Sequence, residues 1–104
     1  MKSISVDELA ALGREASIVD VREVEEYAEA RVPGAKNLPL SSLGSSLGEL
    51  RARRPVYVMC ASGGRTARAA AFLAEQGFDA VNVLGGITEW YRNGHQVQFG
   101  PEAA

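Results

Sequence analysis

The chain has 104 residues, room for one compact domain. Hydrophobic residues at 46% and charged residues at 23% are the proportions of a soluble globular protein, and exclude a disordered tail, a collagen-like fibre or a coiled coil. Thirteen acids against eleven bases leave a net charge of −2, without the excess of bases that non-specific nucleic-acid binding requires.

The longest uncharged stretch, Asn37 to Gly48, is broken by Pro39, serines and glycines. A membrane span needs about twenty apolar residues, so none is expected. The N-terminus meets Asp7 and Glu8 before any apolar signal core forms, which predicts a cytoplasmic protein.

In chain order, Ser3–Val6 reads as a strand and Asp7 as the N-cap of a helix to about Leu12, ended by Gly13. Ser17–Val21 is a β-branched run of strand length. From Glu23 to Ala30 a helix is expected, with Val24, Tyr27 and Ala28 on one face and four acids on a solvated face. After the Pro33-Gly34 turn, Asn37–Leu40 is extended, and Ser41 or Ser42 can cap a helix carrying Leu43, Leu47 and Leu50. Arg51, Arg53 and Arg54 would close it as charges at the negative end of its dipole.

Pro55–Cys60 is apolar on both faces, as a strand in the middle of a covered parallel sheet should be. A helix over Thr66–Gln76, a strand over Ala80–Leu84, the break at Gly85-Gly86 and a helix over Ile87–Arg92 follow. This alternation predicts an α/β fold: a mainly parallel central sheet with helices on both faces. The whole chain, 1–104, is expected as one domain, with a core of about 3–97 and a loose tail over 98–104.

Cys60 is the only cysteine, so no internal disulfide can form. It ends the central strand, and Ala61-Ser62-Gly63-Gly64-Arg65 leads into a helix at Thr66. In open α/β sheets ligands bind beyond the carboxyl ends of strands, where such loops aim backbone N–H groups at one spot. Those donors favour a thiolate. A free thiol of pKa about 8.5 is about 3% ionised at pH 7, and lowering the pKa to about 6.5 ionises roughly three quarters of it. Arg65 adds a planar cation suited to oxyanions. Phosphatases of the tyrosine type place five residues between Cys and Arg; here there are four. The tighter loop favours a smaller ligand at the cysteine, such as a single transferred sulfur atom. With one Cys and one His, no metal site is expected, and His95 after Asn93-Gly94 reads as a surface-turn residue. Trp90 and Tyr91 read as core and rim packing.

Four segments in this order are similar to the single-domain rhodaneses, thiosulfate sulfurtransferases. They are Ile18–Glu23 with Glu26-Tyr27, Val32–Ala35 with Asn37–Pro39, Cys60–Thr66, and Gly85-Gly86 with Glu89-Trp90. The resemblance implies a rhodanese-like domain in which Cys60 carries a persulfide, while Ala61, Ser62, Gly63, Gly64, Arg65 and Thr66 bind the donor anion. It implies no cofactor, a small anionic sulfur donor such as thiosulfate, and cyanide or a thiol as acceptor. Asp20 and Arg22 match a motif that is mainly structural. Where the family has Gly-His-Ile this chain has Ala30-Arg31-Val32, a change that bears on loop packing. The alternative is a persulfide carrier or binding module that delivers sulfur to a partner protein. A cysteine-dependent phosphatase is disfavoured by the loop length, and an inactive domain by the presence of Cys60.

Overall fold

The computed structural model describes residues 2–50 and 54–101. Strand β1 (Lys2–Ile4) leads into helix α1 (Val6–Leu12), β2 (Ser17–Asp20) into α2 (Val24–Glu29), and two-residue strands β3 (Ala30–Arg31) and β4 (Lys36–Asn37) follow. The second half holds β5 (Val56–Met59), α3 (Gly64–Glu75), β6 (Ala80–Val83), α4 (Gly86–Arg92) and β7 (Gln98–Phe99). Five strands form a parallel sheet in the order β1-β6-β5-β2-β4. The strand read as central from its two apolar faces, β5, is its middle member.

Alternate residues of β5 enter two cores, which is what covering both faces requires. Val56, Val58 and Cys60 join Val19, Val21, Leu43 and the α3 residues Ala69, Ala70 and Leu73 on one face. On the other, Met59 joins Val6 and Leu9 of α1, Val83, and Ile87 and Trp90 of α4. Among the described residues no helix is long and apolar enough to cross a membrane.

Several boundaries differ from the expectation. Helix α1 is capped by Ser5, not Asp7: the Ser5 hydroxyl accepts from the Glu8 N–H while the Glu8 carboxylate accepts from the Ser5 N–H. The helix expected beyond Ser41 is two short 3₁₀ segments, Leu40–Ser45 and Leu47–Glu49. Gly44, Gly48 and the four serines lower helix propensity there, and Leu43 and Leu47 reach the core without a continuous helix. Arg51 and Arg53 lie outside the described residues. Val24 stands exposed on α2 instead of facing the core.

The tail expected to be loose from residue 98 is anchored at its start. Strand β7 pairs antiparallel with β3, and the Gly100 N–H donates to the Glu29 carbonyl at 2.9 Å. The anchor is Arg31. Buried, it donates from Nη1 to the carbonyl oxygens of Gly100 (2.8 Å), Tyr27 and Ala28, with its guanidinium over the Tyr27 ring. The arginine thus ties the C-terminal segment to α2, a contact no pattern in the tail itself announces.

Candidate active site

Cys60 follows directly on β5, at the carboxyl end of the sheet, flanked by the loops after β2 and β6. Helix α3 begins at Gly64, two residues earlier than expected. The loop is therefore only Ala61-Ser62-Gly63, and Arg65 and Thr66 lie in the first helical turn. Gly63 is the N-cap at φ 113°, a left-handed conformation costly for other residues, and its N–H donates to the Cys60 Sγ at 3.0 Å. The buried Thr66 hydroxyl makes no hydrogen bond of good geometry among the described residues.

Burial pushes the Cys60 thiol up, and this is the largest single influence. Against it stand the Thr66 hydroxyl and the N–H groups of Arg65, Gly63 and Thr66, which together hold the thiol below its ordinary range. The sulfur is thus shielded yet inclined to be a thiolate.

The loop is held from behind by α4. Gly85 and Gly86 both take positive φ, and this turn brings the Ile87 N–H to the Cys60 carbonyl (2.9 Å) and the Thr88 N–H to the Ala61 carbonyl (3.0 Å). Only a residue without a Cβ fits at Gly86, where a side chain would collide with both carbonyl groups. The Gly85-Gly86 pair read in the sequence as a strand break is a wall of the site.

Asp20 and Arg22 frame the neighbouring loop. Asp20 is 0% exposed and its carboxylate accepts from the Arg22 N–H, Nε and Nη2 at 2.8–3.1 Å. Arg22 also donates to the carbonyl oxygens of Glu26 and Ala30, and the Asn37 amide donates to those of Asp20 and Arg22. A buried carboxylate is tolerable only with such company. The network fixes the start and end of α2, and with them Glu26.

Glu26 was read as part of a solvated acidic face and, with Tyr27, of the family resemblance, without a role in the site. Its carboxylate instead clamps Arg65 through two parallel bonds, Nη1 to Oε1 at 2.6 Å and Nη2 to Oε2 at 2.8 Å. Oε1 also accepts from the Glu23 N–H, closing a capping box for α2. The Arg65 guanidinium holds the Glu26 carboxyl down at about 2, and the pair raises Arg65 in turn. The Glu23…Glu26 spacing before Tyr27 was the signal that could have singled Glu26 out. Of the predicted site residues, Gly63 meets the Cys60 sulfur with its N–H, the Arg65 and Thr66 N–H groups help lower the thiol from the first turn of α3, and the Arg65 fork faces Glu26. His95 sits beyond the far end of α4, with Nε2 2.6 Å from the Asp7 carboxylate and its ring against Trp90. The buried Trp90 donates to the Gln96 carbonyl, and the exposed Tyr91 meets Phe99 edge-on, in keeping with packing roles.

The family model for the rhodanese-like domain matches residues 5–93. The chain belongs to the rhodanese-like domain family. A sulfurtransferase of Allochromatium vinosum is 37% identical over 78 residues, 74% of this chain and 73% of that one. A candidate sulfur carrier protein of Bacillus subtilis, YrkF, is 40% identical over 75 residues, 71% of this chain and 40% of the relative. A rhodanese-like domain protein of Staphylococcus aureus shares the fold at a TM-score of 0.87 and 36% identity, covering 99% of this chain and all of that one.

Proposed function

We propose that this rhodanese-like domain is a sulfurtransferase working by double displacement at Cys60. The Cys60 thiolate attacks the outer sulfur of thiosulfate or a related sulfane donor. The donor's S–S bond breaks, its electron pair leaves on sulfite, and Cys60 keeps the transferred sulfur as a persulfide. Amides of the Ala61–Thr66 segment and the Thr66 hydroxyl offset the charge on the terminal sulfur. A second nucleophile, cyanide or a thiol, then takes that sulfur and regenerates the thiolate. No general base takes part in this reading, because the loop donors that lower the thiol favour its thiolate form.

The observation that carries this reading is the placement of Cys60 at the end of β5 with the Gly63 N–H, at the N-terminus of α3, donating to its Sγ at 3.0 Å; donors of this kind hold the thiol below its ordinary range against the upward push of burial. The buried sulfur also favours an end-on approach by one terminal atom. The lone thiol fits a reducing compartment, and we place the protein in the cytoplasm.

Incubation with thiosulfate should add one sulfur atom, about 32 Da, to the intact mass, and cyanide should remove it. A protein that gains no mass from thiosulfate or from an alkyl persulfide overturns the reading. The relative named as a candidate sulfur carrier supports a second role with the same persulfide, delivery to a partner protein. It is told apart by faster unloading to a protein thiol than to cyanide.

A further inference from the structure

We propose that Glu26 sets donor specificity: by occupying both terminal nitrogens of Arg65, it withholds that cation from a dianionic donor and favours an organic persulfide, R–S–SH. The inference rests on the persulfide chemistry proposed above and narrows its donor.

The loop read from sequence as an anion cradle has its cation already committed. Glu26 holds Arg65 in a bidentate pair, and the two side chains are 37% and 35% exposed, at the rim of the site. On the loop after β2, Arg22 is likewise committed, buried against Asp20 at 2.8 Å. Glu23 and Glu25 remain as further acids at the start of α2, with Arg68 exposed on α3 one turn beyond Arg65. A thiosulfate dianion entering here meets no uncommitted guanidinium in the cysteine loop. An alkyl persulfide carries at most one negative charge and presents the same outer sulfur. Exposed Val24, the first residue of α2, and exposed Leu84, directly after β6, would offer its carbon chain apolar surface.

The chemistry balances without a further reactant. Cys60 Sγ bonds to the outer sulfur of R–S–SH, and the donor's S–S bond breaks. The electron pair leaves on the inner sulfur, which takes up the proton as R–SH. The transferred sulfur keeps its oxidation state.

Glu26→Gln tests this directly, because the amide oxygen can still accept from the Glu23 N–H and from Arg65 while the charge is gone. Donor kcat/KM is measured for thiosulfate and for 2-hydroxyethyl persulfide, with cyanide as the common acceptor. In double displacement this value reports the first half-reaction alone. As a general scale, a unit charge about 8 Å from a bound ion in a half-wet site is worth roughly fivefold per donor charge. The ratio of thiosulfate to persulfide kcat/KM should therefore rise about fivefold in the variant. Being a ratio within one preparation, it is independent of the fraction folded. In the unaltered protein, raising ionic strength should increase kcat/KM for thiosulfate and change that for the persulfide less than about twofold. An unchanged ratio in Glu26→Gln, or a thiosulfate value that falls with salt, overturns the inference while leaving Cys60 chemistry standing. Loading of Cys60 by neither donor instead removes the persulfide reading, and this inference with it.

Discussion

Replacing Gly86 with alanine should disable the site from behind without touching any group that meets the donor. Gly86 has φ +59°, where an L-residue pays roughly 1–2 kcal/mol. Its new Cβ would collide with the Cys60 carbonyl oxygen and lie 2.7 Å from that of Ala61, so both groups must retreat by about 1 Å. That retreat strains the bonds from the Ile87 and Thr88 N–H groups, each worth roughly 0.5–1.5 kcal/mol. The total loss is about 2–5 kcal/mol of stability, a sizeable share of the roughly 5–15 kcal/mol a domain possesses. A loop displaced by about 1 Å should also load sulfur about 100-fold more slowly. Chemical denaturation gives the first quantity and the rate of mass gain under folded conditions the second. Gly94→Ala is the control: φ is +84° there, but a Cβ meets nothing within 4 Å. It should share the backbone cost and keep the loading rate. Should Gly86→Ala load at the parent rate and lose no more stability than Gly94→Ala, the wall assigned to Gly86 does not exist.

Cys60→Ser should fold as the parent does and take up no sulfur, since a hydroxyl is scarcely ionised at neutral pH; intact mass after thiosulfate reads this. Alkylation of Cys60 by iodoacetamide should show a midpoint below the ordinary thiol value of about 8.5, and a midpoint at or above it would mean burial wins over the loop donors. Arg22→Met strands the buried Asp20 carboxylate and should cost about 3–5 kcal/mol in a denaturant titration, with a loss under about 1 kcal/mol speaking against the network. Glu26 has a carboxyl lowered to about 2 in the folded protein. The stability it contributes is thus fully present above the unfolded value near 4.5 and is lost as pH falls towards 2. Stability of Glu26→Gln should accordingly fall less than that of the parent across that window.

The sheet was readable because its strands announce themselves locally: Val56–Met59 is apolar on both faces, and only a middle strand can bury both. Cys60 was readable for a related reason, since a cysteine between such a strand and a glycine-rich turn has few inert roles. Periodicity misled where short-range propensity and core contacts disagree. The leucines from Leu43 to Leu50 have helical spacing, but the intervening serines and glycines yield 3₁₀ turns. It also misled at Ser5, where the reciprocal bond with Glu8 outcompetes Asp7 as a cap. The contacts of Glu26 and Arg31 went unread, although Glu26-Tyr27 was matched to the family and Arg31 was noted as a departure from it, because their partners, Arg65 and Gly100, are 39 and 69 residues away. Contacts that distant leave no mark on a local window.

The bonds from Ile87 and Thr88 to the cysteine loop bear on how the protein is born. On the ribosome, Cys60 is complete well before residues 85–88 emerge, and β1 cannot find its place until its partner β6 exists. A nascent chain that ends before the Gly85-Gly86 turn has a cysteine loop with no α4 amides to hold its carbonyl groups. Its thiol should then behave as an ordinary one. Full reactivity would arrive only as the segment from Gly85 onward folds against the cysteine loop.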